Sequence, residues 1–166
     1  MSPASPDLVF RVLGTPKPQP RPRAFFNRKT GTARVYDAGT AEGWKGCVAL
    51  AAREAVHGCA FPTPWEGCPI AIEVTLYLPR AQGHFGTGRN AGKLRDSAPR
   101  FPMAQRDGDV DNTYKAIADC LTQIRVWHDD GQVVSALVTK AYATADEPPG
   151  ARVMLWRLGF TAIEDA

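Results

Sequence analysis

"PIAIEVTLYLP", residues 69–79, alternates apolar and polar side chains without a break. Ile70, Ile72, Val74, Leu76 and Leu78 project to one side; Ala71, Glu73, Thr75 and Tyr77 project to the other. That is a strand with one apolar face, and such a face needs a second layer to cover it. Two segments can supply the layer. Residues 40–57, "TAEGWKGCVALAAREAVH", predict a helix with Thr40 as N-cap and Trp44, Cys47, Val48, Ala51 and Ala55 on one face. Gly43 and Gly46 weaken its first turns. Residues 111–124 predict a second helix, with Tyr114, Ile117, Leu121 and Ile124 as its buried stripe.

Outward from this centre, "LVFRVLG" (8–14) reads as a short strand. "VVSALVTKAYA" and "RVMLWRLGF" read as two more, joined as a hairpin across residues 147–150. "WHDDGQ" (127–132) carries an Asp-Gly turn signal ahead of them. Prolines at 16, 18, 20 and 22 exclude a central strand or a helix, so residues 15–36 form an extended or looped basic arm. Residues 80–106 form a glycine-rich basic loop, expected to be flexible and to order on a partner. The order β-arm-α-β-loop-α-β-β predicts a single α/β domain over residues 1–166, a mixed β-sheet packed against two helices.

The composition, 44% hydrophobic and 22% charged over 166 residues, is that of an ordinary globular chain. No run approaches the ~18 apolar residues of a membrane span. "MSPASPDLVF" has neither the basic start nor the apolar stretch of a signal peptide, so a cytoplasmic protein is expected, with no membrane partner. The four cysteines form no C-x-x-C pair, which argues against a disulfide framework or a zinc site. Cys47 and Cys120 fall on the predicted helices as small buried thiols. The fragment "GHFGTG" (83–88) lacks the lysine-serine ending of a phosphate loop, and no nucleotide cofactor is expected.

Charge is distributed unevenly. Residues 11–53 hold nine basic side chains against Asp37 and Glu42, and residues 80–106 hold six against Asp96. Residues 107–130 reverse the sign, with six aspartates against Lys115 and Arg125. A polyanion held by the basic segments would be repelled at the acidic centre unless a cation intervened. In an extended segment Asp109 and Asp111 face the same way, and Asp111 is placed to cap the second helix. Lys115 follows one turn deeper on the same face. Converging carboxylates suit a hard cation such as magnesium, with a third ligand from Asp129 or Asp130. Such an ion would let phosphate approach and would acidify a bound water, while Lys115 stabilises charge on phosphorus. Plainer readings also exist. Asp111 would only cap, Asp129 and Asp130 would only turn, or Asp111 and Lys115 would form a routine i,i+4 pair. An EF-hand fails, because its sixth and twelfth positions are Asn112 and Ala118.

The stretch Asp109, Val110, Asp111, Asn112, then Lys115, then "WHDDGQVV" (127–134) resembles the RusA-type Holliday-junction resolvases of bacteria and their phages. The arm "GTPKPQPRPR" (14–23) is similar to that of phage members. The resemblance implies a Mg2+-dependent endonuclease, with Mn2+ as a substitute, acting as a homodimer on branched DNA by paired symmetric nicks. It implies Asp109, Asp111 and Asp130 as metal-binding carboxylates and Lys115 as the catalytic lysine, with Asp129 a neighbour that orients the site. Lys17, Arg21, Arg23, Arg28 and Lys29 of the arm, with Arg89, Lys93 and Arg95 of the loop, are the expected DNA contacts. Two departures stand out: Asp107 and Gly108 precede the motif where basic residues are common, and the 83–95 insertion is longer than in the shortest members. Two other functions fit the same residues, a non-catalytic junction-binding protein and a nuclease of broader taste for flaps and forks.

Overall fold

The computed structural model describes residues 5–20, 41–60, 62–104 and 107–159, and of 23–27 and 32–36 the backbone. Strand β4 (Ile70–Leu78) takes the alternating stretch, and its even-numbered residues are all buried. It lies inside a four-stranded sheet ordered β1-β6-β4-β5, with β1 at Leu8–Leu13, β5 at Val133–Tyr142 and β6 at Gly150–Arg157. Strand β6 is antiparallel to both β1 and β4, whereas β4 and β5 are parallel.

The expected hairpin between β5 and β6 does not form: β4 separates them. Side-chain burial gives the reason. Ala151, Val153 and Leu155 of β6 are completely buried, as befits an interior strand, while most of β5 is exposed and suits an edge. Two parallel neighbours cannot be joined by a tight turn, so the connection from β4 to β5 must cross over. Helix α2 (Val110–Gln123) makes that crossover. Gly150 pairs with Leu13, and any Cβ there would collide with the Val12 carbonyl oxygen, so this position of β6 admits only glycine.

Helix α1 (Glu42–His57) packs against β1 and α2, and α2 packs against β5. Both therefore cover one face of the sheet. Helix α1 buries Trp44, Val48 and Ala52, an i,i+4,i+8 ridge; Cys47, expected in that stripe, is exposed. Ala41 occupies the N-cap position, and Thr40 lies outside the described residues. Helix α2 buries Thr113, Ala116, Ile117, Ala118, Cys120 and Leu121. Tyr114 and Ile124, expected in its stripe, are only half-buried. Burying each of the large side chains among these is worth ~1.5–3 kcal/mol.

The arm divides in two. Residues 15–20 dock on α2, where the Gln19 N–H donates to the Asn112 carbonyl at 2.9 Å. Beyond the last proline, β2 (Arg23–Asn27) and β3 (Thr32–Tyr36) pair as an antiparallel hairpin that is not part of the four-stranded sheet. Arg21, Arg28 and Lys29 lie outside the described residues, and of Arg23 only the backbone is described.

Candidate active site at the edge of the sheet

Helix α2 opens one residue earlier than the sequence pattern predicts. Asp109 is extended (φ −81°, ψ 144°) and occupies the N-cap position, and its carbonyl accepts both the Thr113 N–H (3.1 Å) and the Thr113 hydroxyl (2.9 Å). Asp111 is therefore inside the first turn and is not the cap. The helix boundary falls between the two aspartates, so the strand alternation that would aim them together does not apply. The Asp109 carboxylate accepts the Asn112 amide at 3.3 Å. Just ahead, Gly108 has φ +72°, a left-handed conformation that favours glycine. Its carbonyl accepts a hydrogen bond from Lys140 Nζ at 2.8 Å, so β5 pins the backbone that delivers Asp109.

Asp111, Tyr114, Lys115 and Ala118 follow one another at i, i+3, i+4 and i+7, a single stripe along α2. With Asp130, Val133 and Ala136 they line a cleft of ≈ 400 Å³ between the helix and β5. The fold thus brings together Asp111, Lys115 and Asp130, which are 19 positions apart at their extremes (130 − 111). Asp109 does not line this cleft. Among the described residues, no hydrogen bond or ion pair engages the carboxylate of Asp111 or of Asp130, and both residues are exposed.

Lys115 does not pair with Asp111. Its Nζ lies 3.0 Å from Asp119 Oδ1, one turn further along. That hydrogen bond, and then the charges of Asp119 and Asp130, hold the ammonium pKa above its usual 10.5 against a small opposing effect of burial. Lys115 is therefore a cation at neutral pH. Tyr114 is pushed above 10.0 by burial first and by the Asp130 charge second, so its hydroxyl stays protonated and can donate.

The sequence profile of the family described as endodeoxyribonuclease RusA matches residues 14–155. The chain belongs to the RusA endodeoxyribonuclease family. Its chemistry is accordingly hydrolysis of DNA. No curated protein matches it.

In this RusA chain the adjacent aspartates do different things. Asp129 caps a one-turn 3-10 helix at Asp130–Gln132: its Oδ1 accepts the Gly131 N–H at 2.7 Å. Gln132 reciprocates through Oε1, which accepts the N–H groups of His128 (2.9 Å) and Asp129 (3.2 Å). The Gln132 amide then donates to the carbonyls of Trp65 (2.7 Å) and Cys68 (3.0 Å), tying the turn to the segment before β4. Buried Trp127 completes the anchor by donating from Nε1 to the Thr122 hydroxyl at 2.7 Å. The W-x-D-D-x-Q pattern is thus mostly a scaffold, and the residue it presents to the cleft is Asp130.

The cleft's potential ligands are carboxylate oxygens, without thiol or imidazole, which fits a hard cation such as magnesium and not zinc. Among the described residues no three His, Cys, Asp or Glu side chains converge into a cage. A magnesium site needs no such cage, because one or two carboxylates suffice when waters and phosphate fill the octahedron. Asp107 closes the end of the glycine-rich loop. Its carboxylate accepts the Ala104 N–H at 2.9 Å, and its own N–H donates to the Ala104 carbonyl at 2.8 Å. Of the expected DNA contacts, Lys17, Arg89, Lys93 and Arg95 are exposed, and Arg95 also ties its Nε to the Phe85 carbonyl at 2.8 Å. No helix is long and apolar enough to cross a membrane among the described residues.

Sequence reasoning missed Lys140, and the signal was there. On β5 it shares the helix-facing parity of Ala136, Val138 and Tyr142, where a lone charge needs a partner. It also took Tyr114 for core, because spacing alone does not say which edge of an amphipathic stripe borders a cleft.

Proposed function

We propose that this chain is a Mg2+-dependent endonuclease that resolves four-way DNA junctions as a homodimer, each subunit making one of two symmetric nicks. The observation that carries the reading is the cleft in which Asp111, Lys115 and Asp130 meet, within a chain of an endodeoxyribonuclease family. Asp111 and Asp130 would hold the ion, with Asp109 at the mouth of the helix as a third carboxylate. Bound magnesium supplies Lewis acidity toward a phosphate oxygen and a more acidic water. The protein supplies the rest. Lys115, oriented by Asp119 and kept protonated, faces the charge that builds on phosphorus. The Tyr114 hydroxyl offers a neutral donor beside it. Lys140 and Asp129 hold rigid the two backbone segments that carry the carboxylates.

Substrate binding rests on the exposed Lys17, Arg89, Lys93 and Arg95, and on the arm residues Arg21, Arg23, Arg28 and Lys29. Phosphate contacts of this kind position the duplex without reading its sequence. A homodimer is supported by the edge strand β5, which leaves Val134 and Leu137 exposed, and by the fit of two-fold protein symmetry to a junction's own. The test is cleavage of a labelled immobile four-way junction beside a matched linear duplex, with and without magnesium. Paired nicks in the junction alone, and only with magnesium, are expected. Binding without cleavage under any divalent metal would defeat the enzyme reading, and equal cutting of flaps and forks would replace strict resolution by broader branched-DNA cleavage.

A further inference from the structure

The glycine-rich segment after β4 is not an open flap. The Gly86 N–H donates to the Lys93 carbonyl (2.8 Å), the Arg95 N–H to the His84 carbonyl (2.9 Å), and Phe85 and Leu94 face each other across an isolated bridge. Its root is fixed as well. Arg80 donates to the Pro99 carbonyl at 3.0 Å and stacks 4.1 Å over the Tyr142 ring, which His84 also meets edge-on at 5.4 Å. Gly86 admits no side chain, since a Cβ would lie 2.6 Å from the Asn90 carbonyl oxygen; Gly88 (φ +59°) and Gly92 (φ +81°) are left-handed. The segment is a preformed knob.

The knob holds a hollow of ≈ 660 Å³ with Arg80 and Phe85 in its wall. Gly86 and Thr87 separate it from a second, more polar hollow that contains Lys93 and Arg95. A third lies between the knob and the arm, lined by Lys17, Arg80 and Asp107, and Asp107 is two residues from Asp109. Arg80 lines the first and the third, so a surface of adjoining hollows runs from beside the N-terminus of helix α2 to the aromatic hollow.

We propose that this surface is a binding site for an unpaired DNA nucleotide at the branch point, with its base in the hollow against Phe85 and Arg80 and its phosphates on Lys93 and Arg95. The proposal rests on the reading of the chain as a nuclease of branched DNA. Three features select this occupant. A paired, stacked base cannot enter a hollow of this kind, so only a base outside the duplex reaches Phe85. Aromatic and guanidinium faces accept any base, which suits an enzyme positioned by shape. The basic residues around both hollows face one acidic side chain, Asp96, and call for a polyanion.

The test measures binding by fluorescence anisotropy without divalent metal, using the full chain. The substrates are a fully paired four-way junction, the same junction with two unpaired thymidines at the branch, and a matched duplex. Wild type is expected to bind the thymidine-bearing junction ~10-fold more tightly than the paired one, within the range of a single base–aromatic contact. F85A is expected to erase that difference and F85W to retain it, each with a melting temperature measured alongside. No preference in wild type, or a preference that survives in F85A, overturns the proposal. Tight junction binding with no thymidine preference defeats this site and leaves the nuclease reading standing. Equal affinity for all three substrates defeats both.

Discussion

Replacing Asp129 and Asp130 in turn by asparagine separates two roles that adjacent, chemically identical side chains conceal. Asp129 acts as a cap: its Oδ1 takes the Gly131 N–H at 2.7 Å, and its side chain closes a capping box with Gln132. Asparagine caps about as well as aspartate, so D129N is expected to keep both its melting temperature and its cleavage. D129A loses the acceptor, at a cost of about 1 kcal/mol. For a domain of this size that lowers the melting temperature by roughly 2–4 °C. Asp130 is exposed and accepts no hydrogen bond among the described residues, so D130N is expected to melt with wild type. On the proposed role of Asp130 as a metal ligand, its loss removes several kcal/mol of transition-state stabilisation, roughly 10²–10³-fold in rate. Single-turnover cleavage of a junction at saturating protein, with thermal melts of the same preparations, reads both effects. If D129N were as inactive as D130N at wild-type stability, or D130N as active as wild type, the division between cap and ligand would be refuted.

Lys140→Met removes the hydrogen bond that fixes Gly108 and keeps the length of the side chain; cleavage is expected to fall ~10- to 100-fold while junction affinity holds, and an unchanged rate would show that the pin does not matter. K115M should lose most activity at pH 8. D119N lets the Lys115 pKa drop back toward its usual 10.5, still far above the assay range, so its rate relative to wild type is expected to stay constant from pH 7 to pH 9. A ratio that varies with pH would mean that Lys115 titrates in that window. A thiol reagent should modify exposed Cys47 in the native protein and reach Cys120 only on unfolding, because burial raises the Cys120 thiol and its Sγ lies 3.4 Å from the Lys45 carbonyl; mass mapping of the labelled sites decides.

The α/β class and the element order were legible because period-two alternation in β4 and a 3.6-residue stripe in α2 are properties of a segment taken alone. Strand adjacency is not. Residues 133–143 and 152–160 sit next to each other in sequence with a proline turn between them, which is the local signature of a hairpin. What separates them is burial on folding: β6, with three fully buried side chains, is worth more inside the sheet than at its edge, and the long connection through α2 lets β5 pair in parallel with β4. The same limit applied at the site. The sequence placed Asp109, Asp111, Lys115 and Asp130 by motif, but the pairing of Lys115 with Asp119, the capping by Asp129 and the hold of Lys140 on Gly108 depend on which atoms meet in space.

This dependence also explains why an acidic cluster sits in a basic chain without destabilising it. Six aspartates occupy residues 107–130, yet four are engaged by neighbours: Asp107 by the Ala104 N–H, Asp109 by the Asn112 amide, Asp119 by Lys115 and Asp129 by the Gly131 N–H. Those four carboxylates thus find hydrogen-bond donors within the chain. Asp111 and Asp130 alone are left facing the cleft without such partners among the described residues. Repulsion between two exposed carboxylates in water is modest, on the order of 1 kcal/mol at contact and less with distance. A divalent ion turns that repulsion into attraction, and a phosphate can then approach a cleft whose remaining fixed charge is the Lys115 ammonium. On the proposed function an acidic site is needed only until the cation binds, and the fold offers two open carboxylates for it instead of six.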